Sequence, residues 1–155
     1  MVFGSAFLFI LAGALTHVVV GGWVASPWVL PDLTLVAICV AASESSIPAL
    51  EMILLSSALP MLVSPGSSWE VGASYAAAAA LWRWAATRWD VSHGRVAAVG
   101  VAVLETGLVL WWIGRAGAWS WDVWMALPLR VAMTALSMPL VKRWGARIRS
   151  ASCDA

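Results

Sequence analysis

Charged residues are scarce in this chain, which has nine basic and eight acidic residues among its 155 positions. They make up 11% of the sequence, whereas a soluble domain carries about 25%. The chain also lacks a basic stripe beside an aromatic platform, which argues against nucleic-acid binding. Hydrophobic residues account for 62% of the chain, and its mean hydropathy is +0.87. These values indicate an integral membrane protein of one domain, with little mass outside the bilayer.

Residues that commonly carry chemistry are also few. The chain has two histidines and two cysteines, and it contains no P-loop, GxGxxG, HExxH or GxSxG pattern. Cys39 lies in an apolar stretch and Cys153 near the C-terminus, so we expect no disulfide, and two thiols make no metal site. We therefore predict no catalytic, cofactor-binding or metal-binding residues, and a protein that is not an enzyme.

Apolar stretches and the turn residues between them predict an all-α polytopic bundle of six transmembrane helices in one domain. The first stretch has no basic residue before it and is too long for a signal-peptide core, so we expect a retained helix. Helices 2 and 3 are shorter than the ~20 residues of a usual span, so one of them is expected to be tilted, broken or re-entrant. The predicted helices cover residues 2–24, 31–42, 47–63, 71–86, 96–113 and 122–141, followed by a basic cytoplasmic tail at 142–155.

Basic residues and tryptophans predict the orientation of the bundle. With six spans, Arg115 lies alone on one side, whereas the side that holds both termini carries Arg83, Arg88, Arg95, Lys142, Arg143, Arg147 and Arg149. Cytoplasmic loops are enriched in Lys and Arg, so we expect both termini in the cytoplasm. Most of the twelve tryptophans lie at predicted helix ends, as an interfacial aromatic belt requires: Trp23, Trp28, Trp69, Trp89, Trp111, Trp112, Trp119, Trp121, Trp124 and Trp144.

Two ionisable residues lie near the middle of the fifth and sixth predicted helices. Glu105 lies ten residues past Arg95, about 15 Å along its helix, and Arg130 lies nine residues past Trp121, about 14 Å from the opposite side. In a hydrocarbon core about 30 Å thick, the two side chains lie at nearly the same depth. A lone charge there is costly. We therefore predict an intramembrane ion pair between Glu105 and Arg130, and we favour a structural role over substrate binding or proton relay.

A glycine stripe marks another face of helix 5. Gly100, Gly107 and Gly114 recur every seven residues, which places them on one side, nearly opposite Glu105. Glycine allows another backbone to approach closely. Either both faces pack inside the bundle and helix 5 is central, or the glycine face meets a second protein. The sequence leaves both alternatives open.

Three segments of the chain carry a family resemblance. In the first, Pro31 and Asp32 open the stretch PDLTL; in the second, SPGSSWEVGASYAAAAALWRW at 64–84, the marked positions are Gly72 and Tyr75. The third is WMALPLRVAMTALSMPLVKRW at 124–144. With the size of the chain and its six short-looped helices, they resemble the MreD family, the small membrane subunit of the bacterial rod-shape system. The stretch SSALPML departs from that family, which often carries Asp near the position of Pro60.

The resemblance implies a non-catalytic, multi-pass protein of the bacterial cytoplasmic (inner) membrane. Such a protein would bind an MreC-like single-span protein. It would link MreB to RodA and its class B transpeptidase, the elongasome of peptidoglycan biosynthesis and cell shape. The glycine face of helix 5 and the short helices 2 and 3 would be the surfaces that pack against a partner.

A second interpretation is the substrate-binding S subunit of an energy-coupling-factor vitamin transporter, which has a similar size and helix number. In that case the alanine run at 76–80 would dock on a transducer subunit. The short outer loops offer few polar groups to hold a vitamin, which weighs against this alternative.

Overall fold

The computed structural model describes residues 3–23, 30–43, 47–63, 69–91, 93–117 and 120–153. Within these ranges the chain forms six helices and no strand, which confirms the predicted all-helical class. The helices are α1 (Phe3–Gly21), α2 (Leu33–Ala42), α3 (Ala49–Val63), α4 (Trp69–Ala86), α5 (Gly94–Ala116) and α6 (Trp121–Cys153).

Three of the described helices are long and apolar enough to cross a bilayer. The candidate spans are Gly4–Gly21 in α1, Gly94–Ala116 in α5 and Trp121–Trp144 in α6. The apolar helices α2 and α3 are shorter. Ten residues of helix cover about 15 Å, which is about half of a 30 Å hydrocarbon core. These lengths and compositions indicate a membrane protein in which α2 cannot cross the bilayer as a straight helix.

The predicted helix ends agree with the structure to within one turn, with one exception. The sequence predicts that the last helix ends at Val141 and that a tail begins at residue 142, whereas α6 continues to Cys153. The segment after Val141 is rich in Ala, Arg and Lys, whose helix propensities are high, so a polar composition does not end the helix. Residues 154 and 155 lie outside the described part. Pro60, at which the sequence predicts a kink, lies inside α3.

The central element of the bundle is α2. Every residue from Thr34 to Ala42 is buried, and α2 contacts each of the other five helices. Its sequence, LTLVAICVAA, has no polar face that could be turned toward lipid headgroups or water, as is typical of a helix in a protein core or in the lipid of a membrane. The alternative in which helix 5 is central is therefore wrong, because α2 occupies that position.

Polar contacts define the two ends of the bundle. Lys142 Nζ of α6 donates a hydrogen bond of 3.1 Å to the carbonyl oxygen of Val91, so α6 passes the α4–α5 connection. At the opposite end, the Arg115 guanidinium of α5 lies 2.8 Å from the Glu70 carboxylate of α4. We call the end that contains Val91 the basic end, and the end that contains Glu70 the acidic-start end.

Candidate functional site

A cluster of polar side chains lies in the interior of the bundle. It contains Asp32 at the N-terminus of α2, Tyr75 of α4, Glu105 of α5, and Arg130 and Thr134 of α6. Asp32, Glu105 and Thr134 are buried, and only 15% of the Arg130 side chain is exposed. We call these five residues the polar cluster. It joins four helices at one point.

Glu105 and Arg130 meet within this cluster. The Arg130 Nε donates a hydrogen bond to Glu105 Oε1, so the structure brings together the two residues that the depth argument pairs. The second carboxylate oxygen, Glu105 Oε2, is buried and has no hydrogen-bond partner among the described residues. A buried carboxylate oxygen without a donor costs free energy. Arg130 therefore supplies a hydrogen bond to only one of the two carboxylate oxygens of Glu105.

Asp32 is surrounded by donors. Its Oδ1 accepts a hydrogen bond of 2.9 Å from the Leu35 backbone N–H, which makes Asp32 the N-cap of α2. Its Oδ2 accepts a hydrogen bond of 2.5 Å from the Tyr75 hydroxyl and lies 3.7 Å from Arg130 Nη2. Its backbone N–H donates to Thr134 Oγ1 at 3.0 Å. Asp32 thus connects α2 to α4 and α6 through side-chain and main-chain groups together.

The depth of the cluster shows where α2 begins. Tyr75 lies six residues beyond the start of α4 at Trp69, or about 9 Å along the helix axis. Because Asp32 binds Tyr75 and Arg130, α2 begins inside the bundle and below the acidic-start ends of α4 and α6. The positive end of its helix dipole is therefore placed in the interior, where the Asp32 carboxylate stabilises it.

The glycine face of α5 has two kinds of surroundings. A Cβ atom added at Gly100 would lie 2.7 Å from Cζ3 of Trp82, whereas one added at Gly107 or Gly114 would meet no atom within 4 Å. Gly100 therefore makes room for the buried Trp82 ring, whose Nε1 donates to Ser43 Oγ at 2.9 Å. Gly107 and Gly114 lie open at the surface of this chain.

An apolar groove runs between α4 and α5. Toward the basic end its volume is about 620 Å³, and toward the acidic-start end it is about 490 Å³. Both parts share Leu81, Val103 and Leu104, so they form one continuous surface, which we call the α4–α5 groove. Its other lining residues include Ala77, Ala78, Trp84, Val99, Gly100, Gly107 and Trp111.

A smaller cavity of about 320 Å³ opens toward the acidic-start end. It is lined by His17, Thr34, Tyr75 and Trp112 together with apolar side chains. His17 Nδ1 lies 3.1 Å from the Pro31 carbonyl oxygen. A carbonyl can only accept, so Nδ1 carries the hydrogen and donates it. The lone histidine of α1 therefore holds the segment that leads into α2.

The remaining candidate residues have packing roles. A Cβ added at Gly72 would lie 2.4 Å from the Met61 sulfur and 2.8 Å from the Ser57 carbonyl oxygen, so this position allows α3 and α4 to pack closely. Cys39 is a buried free thiol, and the side chain of Cys153 is outside the described part. The described residues contain no group of three or more His, Cys, Asp or Glu side chains that could hold a metal ion.

The tryptophans follow the predicted belt only in part. Trp28 and Trp119 lie outside the described residues. Trp112 is half-buried, and Trp144 is exposed but lies inside α6 rather than at its end. The exposed tryptophans near described helix ends or in the turns beside them are Trp23, Trp69, Trp89, Trp111, Trp121 and Trp124. This distribution is typical of rings at a membrane interface.

Two features of the cluster are not predicted from the sequence. Thr134 carries no signal of its own, and the sequence marks Asp32 and Tyr75 only as motif residues without a shared role. The capping pattern of Pro31-Asp32 predicts a helix start but not its depth. The signal in the sequence is the short predicted helix at 31–42, because a helix that covers about half of a bilayer has one end in the membrane interior.

Comparisons with known proteins add no relative to this description. No family model matches the chain, and neither a curated protein nor a solved structure matches it.

Proposed function

We propose that this chain is a non-catalytic scaffold subunit of a membrane complex, and that it binds the transmembrane helix of a partner in the α4–α5 groove. The observation that carries the proposal is the contrast between the interior and this groove. The polar side chains at mid-depth bind one another inside the bundle, whereas the groove is long, open and lined by apolar and small residues. Packing of small residues drives association of helices in lipid.

The sequence resemblance supports a specific complex. The chain resembles MreD, and in this proposal it is the subunit that binds an MreC-like single-span protein in the cytoplasmic membrane. Through that partner the chain would connect MreB to RodA and the class B transpeptidase during peptidoglycan elongation. Gly107, which carries no side chain and faces the groove, allows the backbone of a partner helix to approach.

The proposed topology has six membrane-embedded helices with both termini in the cytoplasm. Two contacts support it. The bond from Lys142 to Val91 gathers basic residues of α6 and of the α4–α5 connection at one end. Arg115 lies at the opposite end, where it pairs with Glu70. The larger number of Lys and Arg residues at the basic end favours the cytoplasmic side.

Site-specific photo-crosslinking in native membranes tests the scaffold proposal. A photoreactive residue at Val103 lies in the groove, and one at Leu136 lies on α6. These side chains make a matched pair, because 65% of Val103 and 68% of Leu136 is exposed. We expect Val103 to crosslink to a single-span protein of the MreC kind, identified by mass spectrometry, and Leu136 to give lipid adducts only.

Two results would contradict the proposal. Equal crosslinking from both positions would mean that the groove is not the binding surface. Recovery of ATPase subunits from Val103 would instead support the transporter alternative.

One observation favours that alternative, the vitamin-binding S subunit. The cavity lined by His17, Thr34, Tyr75 and Trp112 brings polar and aromatic groups together at the acidic-start end. Such a mixture is typical of small-ligand sites. Mass spectrometry of small molecules that co-purify with the protein separates the two functions, because a bound vitamin is expected only for the transporter subunit.

A further inference from the structure

The polar cluster has more acidic than basic groups. Asp32 and Glu105 both contact Arg130, so two ionised carboxylates would share one guanidinium and leave a net charge of −1 in the interior. An uncompensated charge in a membrane interior is costly. Binding of one positive charge removes this cost.

The hydrogen-bond donors around Asp32 and Glu105 indicate which of the two carboxyl groups binds the additional positive charge. Asp32 accepts from the Leu35 N–H and the Tyr75 hydroxyl, and Arg130 lies beside it. Glu105 accepts from Arg130 through Oε1 only, and its Oε2 has no partner among the described residues although Glu105 is 0% exposed. Hydrogen bonds stabilise the ionised form of a carboxyl group, and burial without donors favours its neutral form.

We propose that the polar cluster is a proton-binding site, in which Glu105 carries a proton on Oε2 and Asp32 remains ionised as the partner of Arg130. The proton comes from water and is bound when the bundle forms. In this state Glu105 Oε1 is the carbonyl oxygen of a neutral acid and still accepts from Arg130. The cluster then has no net charge, and pH controls the packing of α5 against α2 and α6.

The helices around Glu105 carry several titratable groups. Arg130 of α6 contacts Glu105 and also Asp32 of α2, Tyr75 of α4 bonds to Asp32, and Cys39 of α2 is a buried thiol. His17 of α1 bonds to the Pro31 carbonyl, and Glu51 lies in the first turn of α3. A second negative charge would therefore meet Asp32 at close range. Loss of the proton is expected to loosen the cluster.

The sign of the pH dependence follows from this proton. A free glutamic acid is ionised above about pH 4.3, so the unfolded chain binds one proton fewer than the folded chain. Stability then falls as the pH rises, by up to about tenfold in the unfolding equilibrium per pH unit, until Glu105 ionises in the folded bundle too. Glu105→Gln, which mimics the neutral acid, removes this slope.

Infrared spectroscopy of the purified full-length protein in lipid nanodiscs tests the proposal directly. The C=O stretch of a protonated carboxylic acid is separate from the carboxylate bands. We expect this band in the wild-type protein at neutral pH, with its loss on titration to alkaline pH. The band should be absent from Glu105→Gln.

Two further variants sharpen the test. In Asp32→Asn the α2 cap is retained, since Asn caps as well as Asp, but Arg130 loses its ionised partner. Glu105 should then ionise, so this variant also lacks the band although it keeps Glu105. The matched control is Glu70→Gln, which changes the carboxylate that Arg115 binds at the bundle end and should leave the band unchanged.

The wild-type spectrum alone can overturn the proposal. Absence of the protonated band at neutral pH would show that both carboxyl groups are ionised. A band that persists in Glu105→Gln would place the proton elsewhere. Stabilisation by sodium chloride but not by potassium chloride, in a protein without the band, would identify a sodium site instead.

Discussion

The hydroxyl of Tyr75 donates a hydrogen bond of 2.5 Å to Oδ2 of Asp32, and this bond joins α4 to the N-terminus of α2. Asp32 is buried, and a buried carboxylate that loses a donor costs free energy. The carboxylate of Asp32 therefore depends on Tyr75, the Leu35 N–H and Arg130.

Tyr75→Phe should destabilise the bundle by about 2 kcal/mol, because it removes a donor from a buried, charged acceptor. The free energy of unfolding in detergent, measured with a denaturant, checks this value. Ser57→Ala is the control, because the Ser57 hydroxyl bonds only to the Leu54 carbonyl of its own helix. An equal loss of unfolding free energy in both variants would show that the hydrogen bond from Tyr75 to Asp32 does not stabilise the bundle.

Arg130→Gln should cost about 3–5 kcal/mol, since it leaves the Asp32 carboxylate buried without a cation. The same substitution at Arg115 should have little measurable effect on unfolding, because the Arg115–Glu70 pair is exposed to solvent. Thermal unfolding of both variants in one detergent provides the comparison. If Arg130→Gln unfolds at the wild-type temperature, the contact between Arg130 and Asp32 does not stabilise the bundle.

Gly100→Ala should destabilise the protein by about 1–3 kcal/mol, because the new methyl group would overlap the Trp82 ring. Gly107→Ala should be neutral or slightly stabilising, since the site is open and alanine has the higher helix propensity. Trp82 is buried, so the difference between the variants measures how rigidly α4 packs against α5 at this point. Equal unfolding midpoints would contradict this packing.

Gly107→Leu should weaken recovery of a partner protein, because a leucine side chain would fill the α4–α5 groove. Gly114→Leu is the matched control: it makes the same change on the same helix at an open position that does not line the groove. Co-purification of a tagged MreC-like protein with each variant measures the effect. Equal recovery from both variants would place the binding surface elsewhere.

Cysteine labelling tests the proposed orientation. In a Cys153→Ser background, Ser120→Cys should react with a membrane-impermeant maleimide in intact cells, and Thr87→Cys should react only after permeabilisation. Both positions are exposed, and the remaining native thiol, Cys39, is buried. Labelling of Thr87→Cys in intact cells would reverse the orientation.

The helices and one contact of the cluster were predictable from sequence, for a physical reason. Glu105 and Arg130 each lie in a long apolar stretch with clear ends, so their depths follow from the rise of a helix. The position of Asp32 was not predictable in this way. A cap pattern has the same form at a membrane surface and inside a bundle, and only the packing of α2 distinguishes the two.

The seven-residue spacing of the glycines does not predict their surroundings either. A seven-residue repeat places Gly100, Gly107 and Gly114 on one face, but it does not show which of them contacts a neighbour. That depends on Trp82, a residue of another helix that fills the space beside Gly100 and leaves Gly107 open. The end of α6 was missed because basic residues suggest a tail, although they are good helix formers.

The enclosed position of α2 has a consequence for biogenesis. The translocon releases segments into lipid according to their length and transfer free energy, and about 20 apolar residues are needed to span. With ten residues and an aspartate at its start, α2 does not qualify by itself, so we expect it to enter the membrane together with a neighbouring helix. Its partners Arg130 and Thr134 are synthesised much later. The bonds from the start of α2 to Arg130 and Thr134 therefore form only after α6 has been made, and we expect nascent chains that end before α6 to be substrates for membrane proteases.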